Sequence, residues 1–276
     1  MRKVVIIFLF LILAFSLFFF YSGEFAVETS AQEPNVVPEN IDNDENDAVP
    51  AQNFEDNKEE EEEAEKPEIV IPISGTESYY ENVDVVDNPD DILVLANKKN
   101  VLLSDYVPKD LVKLPVFAPG RLEEVQYMRE EAATAIMELY NAALEEAGLE
   151  IMPTSAYRSF KLQTTIFQNN INSKGSIAKA NETSALPGQS EHQTGLAVDM
   201  SCKSVGYQVT SRFDGTEEAK WLAENAHRFG FIIRYQKGKT DITGYSYEPW
   251  HVRYVGKDAA EYIFKNELTF EEYLEE

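Results

Sequence analysis

The chain has 276 residues, enough for one or two domains with a proper hydrophobic core. Its formal net charge of -25 is concentrated in residues 22–88, which contain 21 Asp or Glu and only two Lys. Because no basic stripe is present to displace counterions from phosphates, the charge argues against nucleic acid as a partner.

The N-terminus carries an export signal. Arg2 and Lys3 precede an apolar run over Val4–Tyr21. As a helix, a run of this length reaches about 27 Å, close to the ~30 Å of membrane hydrocarbon. Positive charge before the run and acidic residues after it predict an internal N-terminus and an external remainder. Residues 1–21 therefore form either an uncleaved membrane anchor or a signal peptide cleaved near Thr29–Ala31.

Residues 22–88 are predicted to be a disordered acidic linker. The stretch is rich in Glu, Asp, Asn and Pro, includes the run Glu59–Glu63, and lacks sustained apolar periodicity. Such a segment cannot bury enough apolar surface to offset its ordering entropy, and like charges extend it. The apolar patch Glu68–Ile73 leaves open an edge strand or a short packing arm, although Pro72 limits a strand.

Residues 89–276 are predicted to form one ordered domain. Apolar periodicity and end signals place strands at 92–96, 149–152, 196–198, 231–235 and 249–254, and helices at 122–147, 159–172, 216–229 and from 257. Gly148 and Gly230 are placed to end two of the helices, and Thr269 with Glu272 predicts a capped C-terminal tail. Helices clustered around short strands indicate an α+β domain with a small antiparallel sheet.

Two motifs carry the candidate chemistry: S-E-H-Q-T-G-L-A-V-D from residue 190 and E-P-W-H from residue 248. His192, Asp199 and His251 together offer two imidazoles and one carboxylate, a ligand set typical of catalytic zinc with one position open to water. Gly195 permits a close turn between His192 and Asp199. Glu248, three residues before His251, can stand beside the metal without ligating it.

The remaining histidine and the single cysteine are interpreted as structural. His227 is the third of three histidines and lies near the end of a predicted helix, where a cation suits the helix dipole. Cys202 is the only cysteine, so no intramolecular disulfide can form. We interpret it as a small buried hydrophobe, because no activating partner for the thiol is evident.

Several segments in order resemble the VanY-type D-alanyl-D-alanine carboxypeptidases. Besides the two motifs, the resemblance includes three further segments: A-Y-R-S-F-K-L-Q from residue 156, N-A-H-R-F-G-F-I-I-R-Y from residue 225 and H-V-R-Y-V-G from residue 251. The similarity covers about residues 90–275, and Ala156 stands where the family usually has Gly. The resemblance implies a zinc peptidase related in fold to the D-Ala-D-Ala dipeptidases and the hedgehog domain. It also implies one Zn²⁺ per chain and peptidoglycan stem peptides as substrate.

The resemblance also implies roles for individual residues. It makes His192, Asp199 and His251 the zinc ligands and Glu248 the catalytic base. The other implied roles are substrate contact and charge stabilisation by Arg158, and holding of the peptide end by Ser190 and Gln163. A structural ion pair remains an alternative for Arg158, and a position on the helix surface remains one for Gln163.

The implied function is removal of the terminal D-Ala from stem peptides during cell-wall remodelling. An L,D-carboxypeptidase acting on tetrapeptide stems, a dipeptidase, and a non-catalytic zinc-containing wall-binding module remain alternatives. Glu248 and Arg158 count against the last, since a structural site needs no unliganded carboxylate. We expect a monomer outside the cytoplasm, anchored in the membrane by residues 1–21 or secreted if they are cleaved.

Overall fold

The computed structural model describes residues 67–276. The predicted anchor or signal peptide, residues 1–21, and residues 22–66 of the predicted linker lie outside the described residues. Within residues 67–276, no helix is both long enough and apolar enough to span a membrane.

The strands build one main sheet and two small ones. They are β1 (Asp84–Val85), β2 (Asn100–Val101), β3 (Leu111–Lys113), β4 (Tyr127–Arg129), β5 (Met152–Ser155), β6 (Ala197–Ser201), β7 (Phe231–Tyr235) and β8 (Glu248–Tyr254). The main sheet has the order β5-β6-β8-β7, with every neighbouring pair antiparallel. The other pairs are β1 with β2, parallel, and β3 with β4, antiparallel.

The α-helices of the described residues flank these sheets. They are α1 (Glu130–Ala147), α2 (Phe160–Lys174), α3 (Ile177–Asn181), α4 (Glu217–Asn225), α5 (Thr240–Thr243), α6 (Lys257–Asn266) and α7 (Phe270–Leu274). Short 3₁₀ helices occur between them, including Glu191–Thr194 just before β6 and Ala226–Phe229 just after α4. The prediction of a single α+β domain with small antiparallel sheets flanked by helices is confirmed.

The main core lies between α1 and the four-stranded sheet. The apolar face of α1 is fully buried at Ala132, Ile136, Leu139 and Ala143. These side chains belong to one buried cluster with residues of the sheet, among them Val198, Met200 and Val252. The 3.6-residue spacing predicted this face, and Gly148 ends the helix in the left-handed conformation at φ 68°.

Residues 122–129 were predicted to be the start of α1, and this is wrong. Glu124–Gln126 forms a 3₁₀ turn, and Tyr127–Arg129 is strand β4, paired with β3. The carbonyls of Val125 and Tyr127 accept hydrogen bonds from the amides of Ala156 and Tyr157. The apolar spacing of residues 122–129 also fits a helix. However, hydrogen bonds to distant residues satisfy the backbone here without a helix, so the spacing does not decide the conformation.

The predicted strand at 92–96 is also wrong, although its burial is as expected. Val94 and Ala96 are buried, but the segment consists of turns and irregular chain. The carbonyls of Ile92 and Val94 accept hydrogen bonds from the guanidinium of Arg253 at 2.8 and 2.7 Å. A buried side chain therefore takes the place of a neighbouring strand.

The predicted linker does not extend to residue 88. Ile73 and Tyr80 are buried in a cluster with Phe167 and Leu186, and the Tyr80 hydroxyl donates to the carbonyl of Pro187 at 3.0 Å. Residues 68–73 contain no strand, so the packing arm is the alternative that fits. The acidic residues of 77–87 obscured this packing, because apolar side chains alternate with solvated charges there.

The predicted ends of several other elements are confirmed. Ser159 caps α2, with its hydroxyl accepting from the amide of Leu162, and Thr216 caps α4 in the same way. Thr269 and Glu272 form the predicted capping box at the start of α7. These helix ends can be predicted from local sequence because the capping hydrogen bonds join residues only three positions apart.

Candidate active site

Strand pairing brings the predicted metal ligands together. Asp199 lies on β6 directly opposite His251 on β8, and His192 lies in the 3₁₀ helix that precedes β6. All three side chains are buried, and their donor atoms lie within 4.8 Å of one another. The Oδ1 atom of Asp199 is 3.1 Å from Nδ1 of His251 and 3.4 Å from Nε2 of His192.

The turn between His192 and Asp199 depends on Gly195. This residue has φ 69°, in the left-handed region that favours glycine. A Cβ at this position would lie 2.9 Å from the side chain of Leu111 and 3.0 Å from that of Arg129. The close turn predicted from the sequence is therefore required by both the backbone conformation and the neighbouring side chains.

The hydrogen bonds of the two imidazoles direct one nitrogen of each towards the cluster. Nδ1 of His192 lies 2.7 Å from the carbonyl of Ala156, so it carries a proton and Nε2 keeps its lone pair. Nε2 of His251 lies 3.2 Å from Oε2 of Glu191, so this nitrogen donates and Nδ1 faces Asp199. Two nitrogens and one carboxylate oxygen then converge, a donor set that fits Zn²⁺ with an open position.

Burial and charge set the protonation of this cluster. Burial, assisted by the cation of Arg158, lowers the pKa of His192 to about 4, so it is neutral as a ligand must be. For His251, burial acts to lower the pKa, but hydrogen bonds to Asp199 and Glu191 outweigh it and raise the pKa to about 9, so a metal bound at Nδ1 would have to displace a proton from this imidazole. Burial acts to raise the pKa of Asp199, yet His192 and Arg158 hold it well below its usual range.

Glu248 stands at the start of β8 in the wall of the same cleft, which has a volume of about 560 Å³. Ile233 pairs with Val252, but Tyr235 pairs with Glu248, so β8 contains extra residues across this register shift. The irregularity lets Glu248 and His251 share the cleft, although side chains three apart on a regular strand point to opposite faces. Burial raises the pKa of Glu248 to about 8.

The other predicted site residues, Arg158, Ser190 and Gln163, also line this cleft. Arg158 donates through Nη2 to Oδ2 of Asp199 and through Nε to the hydroxyl of Ser155 at 2.9 Å. Gln163 is 1% exposed and its amide donates to the carbonyl of Ala185 at 2.7 Å, which excludes a position on the helix surface. Arg158 therefore does form the ion pair that the sequence left open as an alternative. Its partner, Asp199, is a predicted zinc ligand.

Comparisons with known proteins identify the family of this domain. The family model for VanY, D-alanyl-D-alanine carboxypeptidase, matches residues 125–257, which include every predicted site residue. The chain is 47% identical over 197 residues to the Bacillus subtilis (strain 168) protein named "Putative carboxypeptidase YodJ", and the match covers 71% of each chain. This chain belongs to the VanY family.

Two solved structures support the VanY-family fold. The LdcB LD-carboxypeptidase is 47% identical with a TM-score of 0.66, over 71% of this chain and 91% of that one. The VanY D,D-pentapeptidase from a VanB-type resistance cassette, solved in complex with Zn(II), is 37% identical with a TM-score of 0.55. That match covers 66% of this chain and 98% of the other.

Sequence reasoning missed residues around the predicted ligands of this VanY-family domain. Glu191 contacts His251, and Arg253 contacts Glu191 in turn. The wall of the cleft also contains Tyr235, whose ring centroid lies 4.9 Å from that of His251. A signal existed for Arg253, because it lies two residues after His251 on one strand and so shares its face. No such signal marks Tyr235, which comes from the neighbouring strand.

Proposed function

We propose that this chain is a zinc-dependent carboxypeptidase that hydrolyses the terminal D-Ala from peptidoglycan stem peptides. The observation that carries the proposal is the buried cluster of His192, Asp199 and His251 in a cleft shared with Glu248. Family membership supports the reaction class. His192, Asp199 and His251 would hold Zn²⁺, which would supply Lewis acidity to activate a water molecule and polarise the scissile carbonyl.

Glu248 is the group we assign to proton transfer. It lines the cleft without joining the cluster of metal donors, so its carboxylate is free to accept the proton of the attacking water and deliver it to the leaving amine. Its pKa of about 8 reflects burial, and a divalent cation held beside it would lower that value. A carboxyl group with a pKa near neutrality can both take up and release a proton within one turnover.

Arg158 is the group we assign to the developing negative charge. Its guanidinium lies at the edge of the metal cluster, with one nitrogen on Asp199 and another on Ser155. A preorganised donor of this kind typically contributes about 2.7–4 kcal/mol to lowering the barrier. Ser190 and Gln163 would hold the end of the peptide, and Oε1 of Gln163 is a buried acceptor without a partner in residues 67–276.

An L,D-carboxypeptidase is the second candidate, favoured by one specific observation. The chain is 47% identical to the LdcB LD-carboxypeptidase but 37% identical to the VanY D,D-pentapeptidase. Both activities release a single D-Ala, so the metal site and Glu248 would serve either. The difference lies in the residue before the scissile bond, which is D-Ala in a pentapeptide stem and an L-configured centre in a tetrapeptide stem.

Mass spectrometry of stem peptides tests the proposal. The purified full-length chain, supplied with zinc, is incubated separately with pentapeptide and tetrapeptide stems. We expect the pentapeptide to lose one alanine residue. Preferential trimming of the tetrapeptide would assign the L,D activity instead, and release of a dipeptide would assign a dipeptidase. Zinc binding without any peptide cleavage would leave only a wall-binding module.

We further propose that residues 1–66 hold the domain outside the cell at a distance from the membrane. The support is the apolar run at 4–21 followed by acidic residues, together with packing of Ile69 and Ile73 against the domain. Residues 22–66 number 45, and an unstructured chain of that length spans roughly 37 Å on average. Such a spacer would let an anchored enzyme reach stems in the nascent wall.

Deletion of residues 31–66 tests this spacer. We expect kcat/KM on a short soluble stem peptide to stay within about twofold of the wild-type value, because no site residue is removed. In cells, trimming of wall stems should fall, and an unrelated Gly/Ser segment of equal length should restore it. A large loss of activity on the soluble peptide would show that the acidic segment contributes to the domain itself.

A further inference from the structure

A buried network of four charged side chains lies directly behind His251. Glu191, Arg234 and Arg253 have side chains that are 0% exposed, and Glu271 is 12% exposed. Burying an ion costs several kcal/mol, and well-packed apolar residues are often as stable as a buried ion pair. Stability alone therefore does not explain why two carboxylates and two guanidiniums are placed here.

The two oxygens of Glu191 have different partners. Oε1 accepts from Nε of Arg234 at 2.7 Å and from Nη1 of Arg253 at 2.9 Å. Oε2 lies 3.2 Å from Nε2 of His251. Because both guanidiniums bind one oxygen, the other stays directed at the imidazole, and Nδ1 of His251 is left facing Asp199 at 3.1 Å.

The two arginines are themselves held from distant parts of the chain. Arg253 donates through Nη2 to the carbonyls of Ile92 and Val94. Arg234 makes a double hydrogen bond to Glu271 on α7, at 2.6 and 2.8 Å. Glu271 lies beyond residues 125–257, the part matched by the family model. A continuous path of charged contacts therefore runs from α7 to the imidazole.

We propose that Glu191 is a positioning residue that fixes the tautomer and ring orientation of His251, and that α7 takes part in this through Glu271. The inference rests on the proposed metal-dependent function. Carboxylates that accept from a ligating histidine raise its basicity and fix the nitrogen that faces the metal. Glu191 contacts His251 in this way. Glu271 holds Arg234, and Arg234 in turn holds the carboxylate of Glu191 in place.

Two variants of the full-length chain test the contact between Glu191 and His251. Glu191→Gln keeps the length of the side chain but removes its charge, whereas Glu191→Asp keeps the charge but withdraws the carboxylate from His251. We expect zinc affinity, measured by competition with a chromophoric chelator, to fall about 10- to 100-fold in both. The visible absorption of the Co²⁺-substituted protein should also change, because it reports the geometry of the ligands.

Glu131→Gln is the matched control. Glu131 accepts a hydrogen bond at 2.6 Å from the hydroxyl of Tyr254, which lies on the same strand as His251, and it contacts none of the predicted ligands. This variant should keep wild-type zinc affinity and Co²⁺ absorption.

A purely structural role for Glu191 would lower the thermal stability of the metal-free protein but would leave both readouts unchanged in the folded protein.

The outcomes separate this inference from the proposed function. If the wild-type chain binds neither zinc nor Co²⁺, the proposed function fails. If the wild-type chain binds zinc and the folded Glu191→Asp variant binds it equally well with unchanged Co²⁺ absorption, the positioning role is overturned. This variant decides the question even if Glu191→Gln does not fold, because it retains the charge between the arginines.

The contribution of α7 has its own variant. Glu271→Gln removes the charge that holds Arg234 but leaves the contact of Glu191 with His251 in place. We expect a measurable loss of zinc affinity that stays below the ~10-fold lower end of the range for a direct partner. An affinity equal to that of the wild type would overturn the part assigned to α7.

Discussion

Replacement of Glu248 by glutamine is expected to lower kcat by about 10²- to 10⁴-fold while the protein keeps its zinc. Glutamine has nearly the same size and can still accept a hydrogen bond, but it cannot take the proton of the attacking water. Glu248 lies outside the cluster of three metal donors, so its replacement leaves that cluster intact. The predicted effect is therefore on turnover and not on metal content.

Steady-state kinetics and elemental analysis of the same sample check this expectation. The control is Glu131→Gln, the same substitution at a carboxylate that accepts a hydrogen bond from the hydroxyl of Tyr254. This variant should retain wild-type turnover. A Glu248→Gln variant with nearly full activity would require another base. An inactive variant that had also lost zinc would identify Glu248 as a ligand.

Removal of either imidazole from the cluster is expected to abolish zinc binding and activity together. With His192→Ala or His251→Ala, only one imidazole and one carboxylate remain in the cluster, too few for a typical catalytic zinc site. Elemental analysis should find about one zinc per chain in the wild type and close to none in the variants. A chelator should inactivate the wild type, and added zinc should restore its activity.

His227→Ala is the natural control for this experiment, because His227 is the remaining histidine of the chain. Its ring stacks on Phe264 with centroids 3.8 Å apart, and it is not part of the metal cluster. The variant should keep zinc and activity, with some loss of thermal stability from the lost stacking. Full zinc occupancy in both His192→Ala and His251→Ala would rule out the proposed ligand set.

Much of the site could be predicted from the sequence because its residues lie in two short motifs. His192 and Asp199 are separated by six residues containing Gly195, whose φ of 69° permits the turn. Glu248 and His251 lie in one strand. The two motifs meet by the pairing of β6 with β8, which places Asp199 opposite His251. Chemistry concentrated in short segments can be recognised before the fold is known.

Part of the fold could be predicted for a similar reason. The ends of α1, α2 and α7 follow from Gly148, Ser159 and Thr269, whose hydrogen bonds join neighbouring residues. The segments 92–96 and 122–129 were predicted wrongly because their backbone partners are remote. Arg253 binds the first segment across 159 and 161 residues of sequence, a distance that no local pattern can encode.

The sequence by itself therefore determined the family resemblance and which residues are proposed as metal ligands and base, since each depends on residue identity and short spacing. Only the tertiary structure decided which nitrogen of His251 faces Asp199. That choice depends on Glu191, which is 60 residues from His251 in sequence, and on Arg234 and Glu271, which are 37 residues apart. A buried charge requires an oppositely charged partner, and these partners come from distant parts of the chain. The contacts therefore form only when strands and helices pack together.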